Sequence, residues 1–313
     1  MSVSKQLALA FQKSDGFTLK QAYGACPEKP EHAVRARIYE GVKSGLFKRL
    51  ARGVYTVNYK NPETGNDASC VLIQGDGRDL SFLEDNSVDC ILTDHPYKLD
   101  TQLKGGNRDF ASYDLFQYTA QDFAEKFRVL KPGCFLVEFI PDESAVNFDY
   151  LSRLKHMAMD AGFEYYAKVP WTKGKFVANT GRKTKNSEDI LFLTKGPARM
   201  LRPDAKKDKA EPDVRHYMRG AAGMLPATFD FDPPKKADRI HQAEKPVALI
   251  QKILGYVAQK GETVLDQFAG SGSTGEACLL SGLDSILIEK SREFIEKITG
   301  RLGMDCILQP ETA

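Results

Sequence analysis

The sequence predicts a doubly wound α/β body with a mostly parallel sheet, preceded by a small winged helix-turn-helix unit. Three observations carry this expectation. From residue 70 onward short apolar runs alternate with amphipathic helical patterns, a glycine cluster follows one of those runs, and basic charge gathers at the amino end. Strands interleaved with helices favour a parallel sheet, because each parallel pair needs a crossover that a helix can supply.

Residues 3–13 place Val3, Leu7, Ala10 and Phe11 at helical spacing, and Ser14-Asp15-Gly16 stops the pattern. FTLKQAYG at 17–24 reads as a second short helix capped by Thr18. After Pro27 and Pro30, EHAVRARIYEGVKSG lines up Val34, Ile38 and Val42 on one face, with Gly45 as a terminal cap. LFKRLARGVYTV at 46–57 alternates as a hairpin turning near Ala51-Arg52-Gly53. Three helices and a basic hairpin are the order of a winged helix, in which the third helix enters a major groove and the wing touches phosphate or the minor groove. Residues 58–69 are polar and turn-rich, a linker.

The apolar runs that follow are VLIQ (71–74), VDCILT (88–93), CFLVEFI (134–140), FEYYAKVPW (163–171), DILFLT (189–194), ETVLD (262–266) and SILIE (285–289). Helical patterns occupy 119–130, 145–161, 246–259, 273–282 and 291–302. The interval 196–240, rich in Pro, Lys and Arg, breaks the rhythm and reads as an insertion.

Residues 1–60 hold eleven Lys/Arg against four Asp/Glu, while the rest of the chain holds 33 against 38. Such asymmetry fits either a basic segment that meets a polyanion or a solvated basic face. Six cysteines lack any C-x-x-C pair, and Cys90, Cys134 and Cys278 lie in apolar runs, which suits reduced thiols in the cytoplasm. Lys5 and residues 12–15 interrupt any signal-like stretch, and no apolar run approaches the ~20 residues that span a bilayer, so neither secretion nor a membrane is expected. His32, His156 and His216 have no metal-ligand spacing.

Two stretches could carry chemistry. In VLDQFAGSGSTGEAC (264–278) a strand ends at Asp266, Gly270 and Gly272 make a tight loop, and a helix begins near Ser273. Glycines there let a ligand approach the backbone at the carboxyl end of a strand. Glu289 ends the next strand, where an acid can hold ribose hydroxyls. The spacing Gly270, Gly272, Gly275 matches the pyrophosphate fingerprint G-x-G-x-x-G, but Asp266 just before it would repel a pyrophosphate and suits a cationic amino group instead. Phe268 offers a ring face to a sulfonium. The ligand read from these residues is S-adenosylmethionine.

ILTDHPYKL (91–99) drives a β-branched strand into Asp94, His95, Pro96 and Tyr97. An exocyclic amine of adenine or cytosine is a weak nucleophile, since its lone pair is delocalised into the ring. Fixed acceptors for both of its N–H bonds favour the tetrahedral form that can attack a methyl group. Asp94 and the His95 carbonyl could be those acceptors, with Pro96 stiffening the turn and Tyr97 stacking on a flipped base.

Together these stretches resemble the S-adenosylmethionine-dependent DNA amino-methyltransferases, whose catalytic motif reads Asp-Pro-Pro-Tyr or a close variant and whose cofactor loop reads Phe-x-Gly-x-Gly, here Phe268-Ala269-Gly270-Ser271-Gly272. The catalytic motif precedes the loop, as in the β group. Further likeness lies in QGDGRDLSFLEDNSVDCILTDHPY, RVLKPGCFLVEF, VPWTKGKF, SEDILFLTKG and HQAEKPVALIQKIL, and covers about 70–100, 126–140, 163–196 and 240–303. His95 departs from the family by replacing its first proline. Asp232-Pro233-Pro234-Lys235 is a near-match without the aromatic residue, and reads as a loop.

The resemblance implies a Rossmann-like methyltransferase domain over 70–313, with a target-recognition insertion at about 174–240 using Arg182, Lys183 and Lys185. It implies a cofactor site of Asp76, His241, Lys245, Asp266, Phe268, Gly270, Ser271, Gly272 and Glu289. Trp171 and Lys173 either contact DNA or close the sheet edge. Arg35, Arg37, Lys48, Arg49 and Arg52 are the phosphate contacts expected of the 1–60 module. The implied reaction is methylation of N6 of adenine in duplex DNA, because members acting on N4 of cytosine more often carry serine in place of the acid. N4-cytosine methylation and an inactive, DNA-binding regulator are the alternatives. A homodimer and a cognate restriction enzyme are possible partners.

Overall fold

The computed structural model describes residues 3–11, 16–43, 47–57, 68–97, 115–174, 186–204, 216–235, 237, 239–241, 243–303 and 306–308. Its amino-terminal part runs α1 (Val3–Ala10), β1 (Phe17–Thr18), α2 (Leu19–Ala25), α3 (Glu31–Lys43), β2 (Phe47–Ala51) and β3 (Val54–Val57). Thr18 caps α2 as its sequence predicts: its hydroxyl accepts the Gln21 amide while the Gln21 side chain accepts the Thr18 amide. The strand at 17–18 was not expected; it pairs antiparallel with β3 and gives the sheet order β1-β3-β2. The helix expected over 3–13 ends at Ala10. Gly53, with φ of 73°, turns the hairpin where expected, and Gly45 lies outside the described residues.

The body follows with β4 (Cys70–Gln74), β5 (Val88–Thr93), α4 (Ala120–Val129), β6 (Leu130–Pro141), α5 (Phe148–Asp160), β7 (Phe163–Thr172), β8 (Ser187–Lys195), β9 (Arg202–Pro203), β10 (Tyr217–Met218), β11 (Phe229–Asp230), α6 (Val247–Val257), β12 (Thr263–Asp266), α7 (Ser273–Ser281), β13 (Asp284–Glu289), α8 (Arg292–Leu302) and β14 (Cys306–Leu308). Nine of these strands form one sheet in the order β11-β7-β8-β6-β5-β12-β13-β4-β14. All its pairings are parallel except β6 with β8 and β7 with β8.

Strands β5 and β12 are buried at every residue, which is why they read as continuous apolar runs without alternation. On one face Val71, Ile73, Ile91, Leu136 and Ile286 meet α4 and α5. On the other, α6 and α7 cover β5 and β12 while α8 covers Leu72 and Leu287.

One expectation needs correction. The insertion placed at 174–240 is not one unit, because β8 lies inside the main sheet and β11 extends it beside β7. The amino-terminal module packs on the body: Leu50 and Val54 join the main core with Val71, Ile73, Leu80 and Leu83. Residues 58–67 of the expected linker lie outside the described residues.

Candidate active site

From β5 the chain runs outward to β6 and β8, whereas from β12 it runs the other way to β13. Ligands of open α/β sheets bind at the carboxyl ends of strands where the order diverges in this manner. β5 and β12 are direct neighbours, with Cys90 opposite Val264 and Ile91 opposite Leu265. Asp94 therefore leaves the sheet beside Asp266, and the two stretches singled out above share one crevice.

The glycine loop is built to bring backbone close to a ligand. Gly270 and Gly272 have φ of 52° and 77°, conformations that side chains resist. Glu289 ties the loop down, accepting from the Gly270 amide at 2.9 Å and the Ser291 amide at 2.8 Å. Ser271 is buried, its hydroxyl 2.9 Å from that of Ser273, and its carbonyl accepts from Arg301 at 3.1 Å. Burial pushes the Asp266 carboxyl up to about 6, against hydrogen bonds from Thr274, the Phe268 amide and Thr93.

Phe268 faces Phe116, centroids 5.5 Å apart. Asp76 stands exposed at the end of β4, accepting from the Arg78 amide at 3.0 Å, with Lys290 at 3.9 Å. Gly77 packs so closely that a Cβ there would lie 1.9 Å from the Gln267 carbonyl oxygen. His241 abuts the loop: a Cβ at Gly270 would lie 3.9 Å from its ring. Burial and the Lys245 charge push the His241 imidazole down to about 4, so it is neutral, and its Nδ1 accepts from the Ala243 amide at 3.0 Å.

The turn at Asp94–Tyr97 is held from several directions. The Asp94 side chain is 28% exposed, open enough to meet a ligand, and its Oδ2 accepts from Lys245 Nζ at 2.5 Å. Lys245 also pairs with Glu188 at 3.1 Å, and Glu188 pairs with Lys173 at 2.5 Å. Lys245, expected among the cofactor residues, thus also pairs with the acid of the turn. Burial and Glu188 raise the Asp94 carboxyl above its usual range, with Lys245 opposing them. Burial works against the Lys245 ammonium, yet Asp94 and Glu188 outweigh it and hold it above the usual lysine range. Tyr97 is half-buried and bridged to Phe116, whose amide donates to the Pro96 carbonyl at 3.1 Å.

His95 is wholly buried. Its Nδ1 lies 2.9 Å from Glu138 Oε1 and its Nε2 lies 2.5 Å from the Tyr150 hydroxyl. The Tyr118 hydroxyl and Lys126 also donate to Glu138, at 2.9 and 2.7 Å. Glu188, Glu138, Lys126 and Tyr150 were missed at the sequence level. Signals for two of them existed: Glu138 interrupts the apolar run CFLVEFI, and Lys126 lies three residues from Phe123 on the buried stripe of α4.

Three of the phosphate contacts expected of the module pair with carboxylates of the body. Lys48 pairs with the buried Asp284 at 2.5 Å, and Arg49 and Arg52 both reach Glu84, so much of the hairpin's charge is spent on the body. Lys173 is likewise committed to Glu188. Arg35 and Arg37 are exposed, donating to the Tyr23 hydroxyl and to Glu40. Trp171 is buried opposite Phe229 of the edge strand β11 and donates to the Phe231 carbonyl at 2.8 Å. Arg182, Lys183 and Lys185 lie outside the described residues. Residues 232–235 are loop, as expected.

The pattern of the DNA methylase family, N6_N4_Mtase, matches residues 88–300, spanning both the catalytic turn and the glycine loop. The chain belongs to that family. It is an S-adenosylmethionine-dependent amino-methyltransferase of the N6/N4 type. The chain is 28% identical to the type II methyltransferase M.HpaI of Haemophilus parainfluenzae over 235 residues, 72% of this chain and 71% of that one. Its fold is similar to that of M1.HpyAVI in complex with SAM, at a TM-score of 0.52 and 20% identity over 75% of this chain and 100% of that one. PvuII DNA methyltransferase, described as cytosine-N4-specific, is similar at 0.52 and 16% over 74% and 86%.

The residues present fit the cofactor. A buried carboxylate at Asp266, a glycine cradle without Cβ atoms and an acid at Glu289 offer a cation site, a close backbone approach and acceptors for hydroxyls. When bound, S-adenosylmethionine supplies an electrophilic methyl group.

Proposed function

We propose that this enzyme methylates N6 of adenine in duplex DNA after flipping the base from the stack. The observation that carries the reading is the carboxylate of Asp94, placed at the end of a fully buried strand beside the cofactor crevice. Lys245 takes Oδ2, so Oδ1 accepts one N–H of the target amine while the His95 carbonyl accepts the other. Fixed acceptors of this kind stabilise the tetrahedral nitrogen without reorganisation at the moment of reaction. Asp94, raised by burial, can then hold the proton the amine sheds. Tyr97 supplies a ring face for the flipped base. The acid favours adenine because relatives acting on cytosine more often carry serine in its place.

The amino-terminal module supports duplex DNA as the substrate. Its order of helix, strand, two helices and hairpin supports reading it as a winged helix, and α3 presents Arg35 and Arg37 to solvent. Contacts from these residues to phosphate would weaken as salt rises.

The test is transfer of tritiated methyl groups to unmethylated DNA by the wild type and by Asp94→Ala. The wild type should label DNA; the variant should bind S-adenosylmethionine and label none. An Asp94→Ala protein as active as the wild type would remove Asp94 from the mechanism.

A further inference from the structure

The imidazole of His95 has a place in the structure that the reaction as described does not use. Its side chain is sealed from solvent and held at both ring nitrogens, by Glu138 on β6 and Tyr150 on α5. The ring lies 4.0 Å from that of Tyr118, and the Lys126 ammonium sits 3.8 Å from the same Tyr118 ring. Glu138 is kept ionised: burial opposes its charge, but Lys126 and His95 outweigh it. A carboxylate that is ionised only accepts, so Nδ1 of His95 carries the hydrogen.

A side chain fixed at two points cannot rotate, and its backbone is fixed with it. Pro96 further restricts His95 to extended conformations. The same network reaches the 115–118 segment, because the Tyr150 hydroxyl accepts from the Tyr118 amide at 3.4 Å and the Phe116 amide donates to the Pro96 carbonyl. The turn and the 115–118 segment are thereby tied to one buried cluster.

We propose that His95 is a positioning residue: through Glu138 and Tyr150 its imidazole sets the direction of its own carbonyl toward the target amine. The network does by hydrogen bonding what a proline ring in the related motif does by covalent restraint. This rests on the reading of the His95 carbonyl as an amine acceptor.

Three variants test it: Tyr150→Phe, which removes only a hydroxyl, His95→Ala, which removes the imidazole without supplying a proline ring, and the two combined. Each single change should lower the single-turnover methyl-transfer rate by about tenfold while S-adenosylmethionine affinity stays within about twofold. The double variant should be no slower than the slower single one, because both changes break the same link. Imidazole nitrogen NMR should find Nδ1 of His95 protonated and its Nε2 resonance displaced in Tyr150→Phe. Wild-type rates in Tyr150→Phe, multiplied losses in the double variant, or an Nδ1 without hydrogen would overturn the proposal. A wild-type protein that transfers no methyl group overturns the reading of the site as well, and is told apart from the case in which the wild type and both variants transfer alike.

Discussion

Lys245 holds its Nζ 2.5 Å from Asp94 Oδ2 and 3.1 Å from Glu188 Oε2, one ammonium shared by two carboxylates. Without it, burial and Glu188 would both favour protonated Asp94, since Lys245 is what opposes them. Lys245→Met should therefore slow methyl transfer at neutral pH by about a hundredfold, equivalent to about 2.7 kcal/mol. The acid limb of its pH–rate profile should move to higher pH. Glu188→Gln removes a charge that raises Asp94 and should move that limb the other way. Profiles that coincide with the wild type in both variants would contradict the arrangement.

Asp266 gives a second pH dependence. Its carboxyl stands at about 6 against an ordinary 3.8, so ionisation is penalised in the folded protein. The stability it contributes is full below the ordinary value and is lost as pH rises through about 6. A bound cation offsets that penalty. S-adenosylmethionine affinity, measured by calorimetry, should fall by about tenfold per pH unit below that point, because protons compete for the carboxylate. Asp266→Asn should bind weakly with no such slope; a sloped profile in this variant would assign the effect elsewhere.

Gly77 sets the spacing between β4's end and the segment after β12. A Cβ there would lie 1.9 Å from the Gln267 carbonyl oxygen, which is backbone and cannot rotate away. Gly77→Ala should lower stability by about 3 kcal/mol through overpacking. It should also weaken cofactor binding, read by thermal denaturation with and without S-adenosylmethionine. An unchanged transition would show that the two segments move freely.

The amino-terminal module should prove part of the folding unit. Leu50 and Val54 pack into the main core, and Lys48 meets Asp284, which is only 2% exposed. Lys48→Ala leaves that carboxylate without its charge partner and should cost about 2 kcal/mol in denaturant unfolding, less than a wholly buried pair because Lys48 itself is partly solvated. A chain starting at Ala68 should unfold at a lower temperature than the whole protein. Equal transitions would mean that the module is an independent appendage.

Much of this was legible in the sequence. The seven apolar runs became the seven long strands of the main sheet, the clearest being β5 and β12, which are buried at every residue. Helices 119–130, 145–161, 246–259, 273–282 and 291–302 fell within a few residues of α4, α5, α6, α7 and α8. The site's two carriers, Asp94 and the glycine loop, were legible because strand ends and tight loops have local signatures. Partners distant in sequence were not. Glu188 reaches Lys245 only because β8 runs antiparallel beside β7 and β6, and Asp284 reaches Lys48 only through docking of the hairpin. The carboxylates beside Lys48, Arg49 and Arg52 were equally hidden, because sequence shows a charge but not the group opposite it.

The most direct measurement is the identity of the methylated base. Unmethylated duplex DNA would be incubated with the protein and labelled S-adenosylmethionine, digested to nucleosides and separated. The expected result is label in N6-methyladenine, with none from Asp94→Ala. Label in N4-methylcytosine, or none from a wild-type protein that binds the cofactor, would contradict the assignment.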